Sequence, residues 1–151
     1  SIPKKLRAWQ NPNARFLILR DNDRGDCKAR KKKIETLIKD TNCIEKSKIR
    51  IVCQELEAWY LGDLSALEMT DFSNPNISNK QDKQPFSDPD NIDRPLIILD
   101  KLTKKSFTPK SQKSTLARSI AQHLSMTNNR SHSFNQTISA INALVLQLNE
   151  I

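Results

Sequence analysis

"FLILRDNDRGDCKARKKKI", residues 16–34, passes from an apolar run through an acidic turn into a basic helical segment. Phe16 to Leu19 have the continuous apolar pattern of a buried strand. Asp21, Asp23 and Asp26 then crowd one short turn. Carboxylates packed this closely repel one another, so the turn suggests a cation that neutralises them. A second strand is expected at 48–54, "KIRIVCQ", with β-branched Ile49, Ile51 and Val52. Between the strands, Gly25 to Asp40 is helical, with Ile34, Leu37 and Ile38 on its apolar face.

Strand, helix and strand in this length make a βαβ unit, hence an α/β fold with a parallel sheet. Open parallel sheets carry their ligand sites at the carboxyl ends of the strands. Asp21 and Asp23 follow one strand, and Glu55 and Glu57 follow the other. Two acidic sites therefore face one crevice. "ELEAWYLGDLSALEM", 55–69, is expected as a helix broken near Gly62 and restarted with Asp63 as N-cap. Residues 71–92 lack periodicity and are expected as a long loop. Helices are expected at 93–103, 113–125 and 132–150. The last should bury Phe134, Ile138, Ile141, Val145 and Leu148 on one face.

The 151 residues suit a single domain, 1–151. With 36% hydrophobic and 28% charged residues, the composition is not that of a disordered chain. No apolar run approaches the roughly 20 residues needed to span a bilayer, and no secretory pattern opens the chain. Cys27, Cys43 and Cys53 are neither a disulfide framework nor a CxxC site, which points to free thiols in a reducing cytoplasm. His123 and His132 lack the spacing of a zinc site. A net charge of +8 and a pI near 9.6 favour a polyanionic partner such as nucleic acid. Two strands are too few for a stable open sheet. A partner chain, including a second copy in a homodimer, or residues upstream of Ser1 should complete it.

Three features could carry chemistry. Asp21 and Asp23, at i and i+2, can reach one hard cation such as Mg²⁺; equally, such acids cap the helix that follows. Glu55 and Glu57 can add a metal ligand or general base; equally, they suit a helix N-terminus. In "KLTKKSFTPKSQKSTLARS" and "NNRSHSF", Lys110, Lys113, Arg118 and Arg130 could hold phosphates, with Ser131 and Ser133 adding hydroxyls. The same residues suit a solvated face with a serine cap. Gly25 and Gly62 are the only glycines, which excludes a Gly-rich phosphate loop.

"RFLILRDNDRGDC" resembles the strand and DxD turn of Toprim domains, found in topoisomerases, primases and overcoming-lysogenisation-defect nucleases. Over nearly its whole length the chain resembles a Toprim-related bacterial family of unknown function. That family is often encoded beside an SMC-like or AAA-type ATPase in phage-defence loci. Four ordered motifs carry this: "LRDNDRGDCKARK", "RIVCQELEAWYLGDLSAL", "KSQKSTLARSIAQHL" and "NRSHSF". The resemblance implies a Toprim-like sheet flanked by helices with a helical C-terminal part. It makes Asp21 and Asp23 the metal pair and Glu57 the acid after the next strand. Asp21, Asp23 and Glu57 would then be catalytic, with Glu55 a further candidate metal ligand and Mg²⁺ or Mn²⁺ the cofactor. Lys113, Arg118, Arg130 and Ser133 match family motif positions. Toprim domains carry one more glutamate after an earlier strand. Residues 1–14 look like the helix before the DxD strand, so that strand is expected upstream of Ser1 and the present form is expected to be catalytically weak. The expected function is a Mg²⁺-dependent nuclease, or remnant, acting on DNA or RNA with an ATPase partner. The alternative is a non-catalytic nucleic-acid sensor or adaptor in an ATPase complex.

Overall fold

A computed structural model of the chain describes residues 1–9, 11–22 and 24–150; Gln10, Asp23 and Ile151 lie outside them. Strand β1 (Phe16–Asp21) and strand β2 (Ser47–Val52) pair in parallel, in register from Phe16 with Ser47 to Asp21 with Val52. Helix α2 (Cys27–Ile38) and a 3₁₀ turn, Lys39–Thr41, carry the chain back between them. The 12 residues of α2 rise about 18 Å. That matches the roughly 20 Å of a six-residue strand, so one helix suffices for the parallel return.

Strand alternation gives the sheet two different faces. On one, Phe16, Ile18, Ile49 and Ile51 pack with Leu6 of helix α1 (Ile2–Ala8) and with Ile34 and Ile38 of α2. On the other, Val52 joins a larger core built by short helices α3 (Glu57–Leu61) and α4 (Leu64–Glu68), and by α5 (Pro95–Leu102), α6 (Lys113–Ala121) and α7 (His132–Asn149). Leu61, Leu64, Leu67, Leu99 and Ile120 are wholly buried there. Trp59 meets Phe134 edge to face, with ring centroids 5.3 Å apart.

The α/β class, the parallel pair and the order of elements agree with the sequence pattern. Among the described residues the sheet has two strands, and the outer edge of β1 carries no ladder partner. One expectation is refined and one changes. The loop at 71–92 is tied down: it buries Ile77, Phe86 and Ile92, and Gln81 bonds the backbone of Leu61, Leu64 and Phe86. Helix α7 is rotated from its expected face. It buries Ser133, Phe134, Thr137, Ala140 and Leu144, whereas Val145 is 48% exposed and Ile141 and Leu148 are 39% exposed. Small side chains on the buried face let α7 lie close against β2, and Thr137 satisfies its own hydroxyl on the Ser133 carbonyl.

Candidate active site

Asp21 closes β1, so the strand itself fixes its Cα; the ladder extends one step as the Asn22 N–H donates to the Val52 carbonyl at 3.0 Å. The turn then tightens through Gly25 N–H to the Asn22 carbonyl, with Arg24 at a positive φ of 63°. Asp26 ends the turn as the N-cap of α2, accepting from the Lys28 and Ala29 amides at 2.8 and 3.1 Å. Of the three acids in the turn, Asp26 is thus a helix cap. Asp23 lies outside the described residues. The turn after β2 also contains a strained non-glycine residue, Gln54 at φ 62°. One left-handed residue thus follows each strand.

Glu57 is the first residue of α3 and is 7% exposed. Its carboxylate meets the Lys113 ammonium, from the first turn of α6, at 2.8 Å. Asp21, Leu56, Glu57, Tyr60, Leu96 and Lys113 are among the residues lining one cleft of about 280 Å³. The structure therefore brings Asp21, Glu57 and Lys113 together. Lys113 holds its proton more tightly than a free lysine, chiefly through the hydrogen bond to Glu57 and further through the charges of Glu57, Glu55 and Asp21, against a burial effect of opposite sign. Its ammonium sits in the field of three carboxylates. Burial, then the Glu57 charge, pushes the Tyr60 phenol up to about 12, so Tyr60 remains a hydrogen-bond donor at neutral pH. Among the described residues, no group of three or more His, Cys, Asp or Glu side chains could hold a metal ion by itself.

The expected phosphate-binding residues do not form one surface. Lys110 and Arg118 are exposed. Lys113 points into the acidic cleft. Arg130 pairs with Asp82 at 2.9 Å and with the Asn128 side chain. Ser133 is 5% exposed: its hydroxyl accepts from Trp59 Nε1 at 2.9 Å, and its amide donates to Asp90 at 2.8 Å. The N-terminus of α7 is thus filled by the carboxylate of Asp90, which also accepts from the Ser131 hydroxyl at 2.6 Å. Seating a phosphate on Ser133 would require displacing an acid of the same chain.

The chain around Gly62 and the segment before α7 are locked together. Asn129 donates to the Trp59 carbonyl and accepts from the Ser131 amide; Arg130 N–H donates to the Gly62 carbonyl. An added Cβ on Gly62 would stand 2.1 Å from Asn129 Oδ1 and 2.8 Å from the Ser131 nitrogen, so this close approach requires glycine. Asp63 caps α4 on the Ala66 amide, as its sequence context predicts, and also accepts from the Ser125 amide at 2.8 Å. These bonds fix α3, and so Glu57, against α7. Asp90 and Gln81 carry no periodic or motif signal that separates them from loop polarity, and Asn129 lies inside a motif whose basic and hydroxyl residues draw the attention instead.

All three cysteines are free and half-buried. No helix among the described residues is long and apolar enough to cross a membrane. No curated protein and no solved structure matches the chain. A family model, the domain of unknown function DUF4276, matches residues 1–142, and the chain belongs to that family.

Proposed function

We propose that this chain is a Toprim-like, metal-dependent nuclease domain, or a remnant of one, that hydrolyses phosphodiester bonds of DNA or RNA and works with an SMC-like or AAA-type ATPase. The observation that supports it most is the meeting of Asp21, at the end of β1, and Glu57, at the start of the helix that follows β2, beside a cation that is the protein's own Lys113 ammonium. The donors suit a hard divalent ion: they are carboxylate oxygens whose combined charge already holds one cation. Asp21, Glu57 and Glu55, with Asp23, would hold Mg²⁺ or Mn²⁺. Such an ion supplies Lewis acidity at a phosphoryl oxygen and lowers the pKa of bound water.

The residues of the chain itself do the positioning. Leu56 and Leu96 close the apolar side of the cleft and keep water from that wall. Tyr60 presents a protonated phenol. Lys113, half exposed at the mouth, offsets the charge of an entering phosphate. The adaptor reading draws on one specific observation, the Lys113–Glu57 pair, which neutralises a buried carboxylate without any metal.

The deciding experiment is calorimetric titration with Mn²⁺, paired with cleavage of labelled oligonucleotides. The expected result is weak Mn²⁺ binding and metal-dependent cleavage, both lost in Asp21→Asn/Asp23→Asn. Equal Mn²⁺ affinity in wild type and double variant would reduce the acids to helix caps and leave the adaptor reading.

A further inference from the structure

Three cations without an acidic partner among the described residues converge beside the carboxyl end of β1. Arg20 precedes Asp21 and, by strand alternation, turns to the opposite face, the one that carries Phe16 and Ile18. On α2, Arg30, Lys33, Ile34 and Leu37 fall at i, i+3, i+4 and i+7 and share one side of the helix. The two surfaces meet, and these residues with Ile2 line a cavity of about 230 Å³. No ion pair joins Arg20, Arg30 or Lys33 to a carboxylate among the described residues, whereas Lys31, elsewhere on the same helix, pairs with Glu35.

The Arg30 Nε is buried with no hydrogen-bond partner among the described residues. It lies 2.7 Å from where a Cβ on Gly25 would stand, so glycine is what lets the guanidinium fold across the turn. A buried, unsatisfied N–H of a charged group costs free energy that a bound acceptor would recover. Solubilising lysines point outward singly; these cations share one concavity with the apolar side chains of Ile2, Ile34 and Leu37. No carboxylate among the described residues lines it.

The basic cavity is also connected to the acidic cleft. An open groove of about 500 Å³, lined by Leu19, Arg20, Asp21, Val52 and Leu56, lies at the carboxyl end of the two-stranded sheet. It shares Arg20 with the basic cavity, and Asp21 and Leu56 with the cleft of Glu57.

We infer that Arg20, Arg30 and Lys33 bind backbone phosphates of a single nucleic-acid strand, which then runs through the groove at the carboxyl end of the sheet into the cleft of Asp21 and Glu57. This inference rests on the nucleic-acid half of the proposed function. Guanidinium groups suit phosphate oxygens by their fixed donor geometry. The apolar side chains suit an unstacked base or sugar, which a duplex does not offer. The polarity along the track also makes sense: phosphates are held by cations at one end and reach the carboxylates at the other.

Fluorescence anisotropy tests this, with a short labelled oligothymidylate and a matching duplex, in EDTA across a salt series. Arg20→Gln/Arg30→Gln/Lys33→Gln should bind at least about tenfold more weakly, and its log–log salt slope should fall by about two, at roughly 0.7 per single-strand phosphate. Arg20→Gln/Lys33→Gln, which changes two exposed side chains and leaves Arg30 packed, should lose about two-thirds of that slope. Lys80→Gln/Lys83→Gln/Lys105→Gln removes equal charge elsewhere and should retain wild-type binding. Wild-type affinity and slope in the triple Arg20 variant would overturn the inference, as would an equal loss in the charge-matched control. Preferential binding of the duplex, or displacement of the strand by tripolyphosphate at equal phosphate concentration, would overturn the single-strand assignment. No binding by wild type would overturn the nucleic-acid reading as a whole. Binding without cleavage in the presence of Mn²⁺ would count against the nuclease alone.

Discussion

Lys113 and Glu57 lie 2.8 Å apart across the cleft, the lysine side chain 52% exposed and the glutamate 9%. The pair joins α6 to the start of α3 and places a positive charge where the carboxylates of two strand ends converge. An ammonium and a metal ion would compete for the same oxygens. Lys113→Met should therefore strengthen Mn²⁺ binding by about thirtyfold, since a unit charge and a divalent ion about 4 Å apart in water repel by about 2 kcal/mol. Because the lysine is half exposed, the cost in folding stability should stay near about 1 kcal/mol. Unchanged or weaker Mn²⁺ affinity by calorimetry would show that the carboxylates do not form a cation site.

The two glycines should respond differently to alanine. At Gly62 the new Cβ meets Asn129 Oδ1 and a backbone nitrogen, which is locked in the first turn of α7. Overpacking of this kind costs about 1–3 kcal/mol, and loss of the Asn129 bonds adds to it. For a chain of this size, each kcal/mol moves Tm by about 2–4 °C, so Gly62→Ala should lower Tm by roughly 5–10 °C. Gly25→Ala meets the far end of Arg30, which can swing away. It should cost less than about 1 kcal/mol. Similar Tm values for the two variants by thermal melting would refute the lock at Gly62.

The sequence makes the βαβ unit legible because its signals are local: an apolar run, a capped helix of one period, and a second β-branched run. The same locality places Asp21 and Glu57 at strand ends and hence in one cleft. It misplaces the role of "NNRSHSF", because hydroxyls before a helix look identical whether a phosphate or Asp90 fills the N-terminus. Asp90 lies 41 residues before Ser131, so nothing local announces their bond. The face of α7 is illegible for a related reason. Ile141, Val145 and Leu148 make the stronger apolar stripe, but close approach to β2 selects Thr137 and Ala140.

Alkaline pH should destabilise the fold through three groups of one sign. Burial, then the Asp90 charge, pushes the Cys53 thiol from 9.0 up to about 11; burial and Glu57 push Tyr60 from 10.0 up to about 12; the Glu57 hydrogen bond raises Lys113. Each folded group holds its proton more tightly than its unfolded counterpart. Their stabilisation is therefore full below about pH 9 and is lost as pH climbs through the folded values toward about 12. Urea melts at closely spaced pH values should show the midpoint falling steadily above about pH 9. A flat midpoint to about pH 11 would contradict the thiol shift.

The last prediction concerns Asp90, which the sequence alone leaves as one polar loop residue among many. Its carboxylate accepts from the Ser131 hydroxyl at 2.6 Å, the Ser133 amide at 2.8 Å and the Ser133 hydroxyl at 3.3 Å. It is also the second cause, after burial, of the raised Cys53 pKa. Asp90→Asn keeps the size and one acceptor but removes the charge and turns the second acceptor into a donor facing donors. The N-terminus of α7 loses its favourable anion, at a cost of about 1–2 kcal/mol. Cys53 should then ionise more readily, because only burial and its neighbouring thiol still oppose the thiolate. With the fold held well below its melting temperature, alkylation of Cys53 by iodoacetamide at about pH 8.5 should accelerate by a few-fold, as the thiolate is the reactive form. Mass spectrometry of the modified peptide separates Cys53 from Cys27 and Cys43. Faster labelling of Cys53 alone would show an electrostatic effect of Asp90; equal acceleration at Cys43, remote in the α1–α2 core, would show general loosening; an unchanged Cys53 rate would remove Asp90 from the control of that thiol.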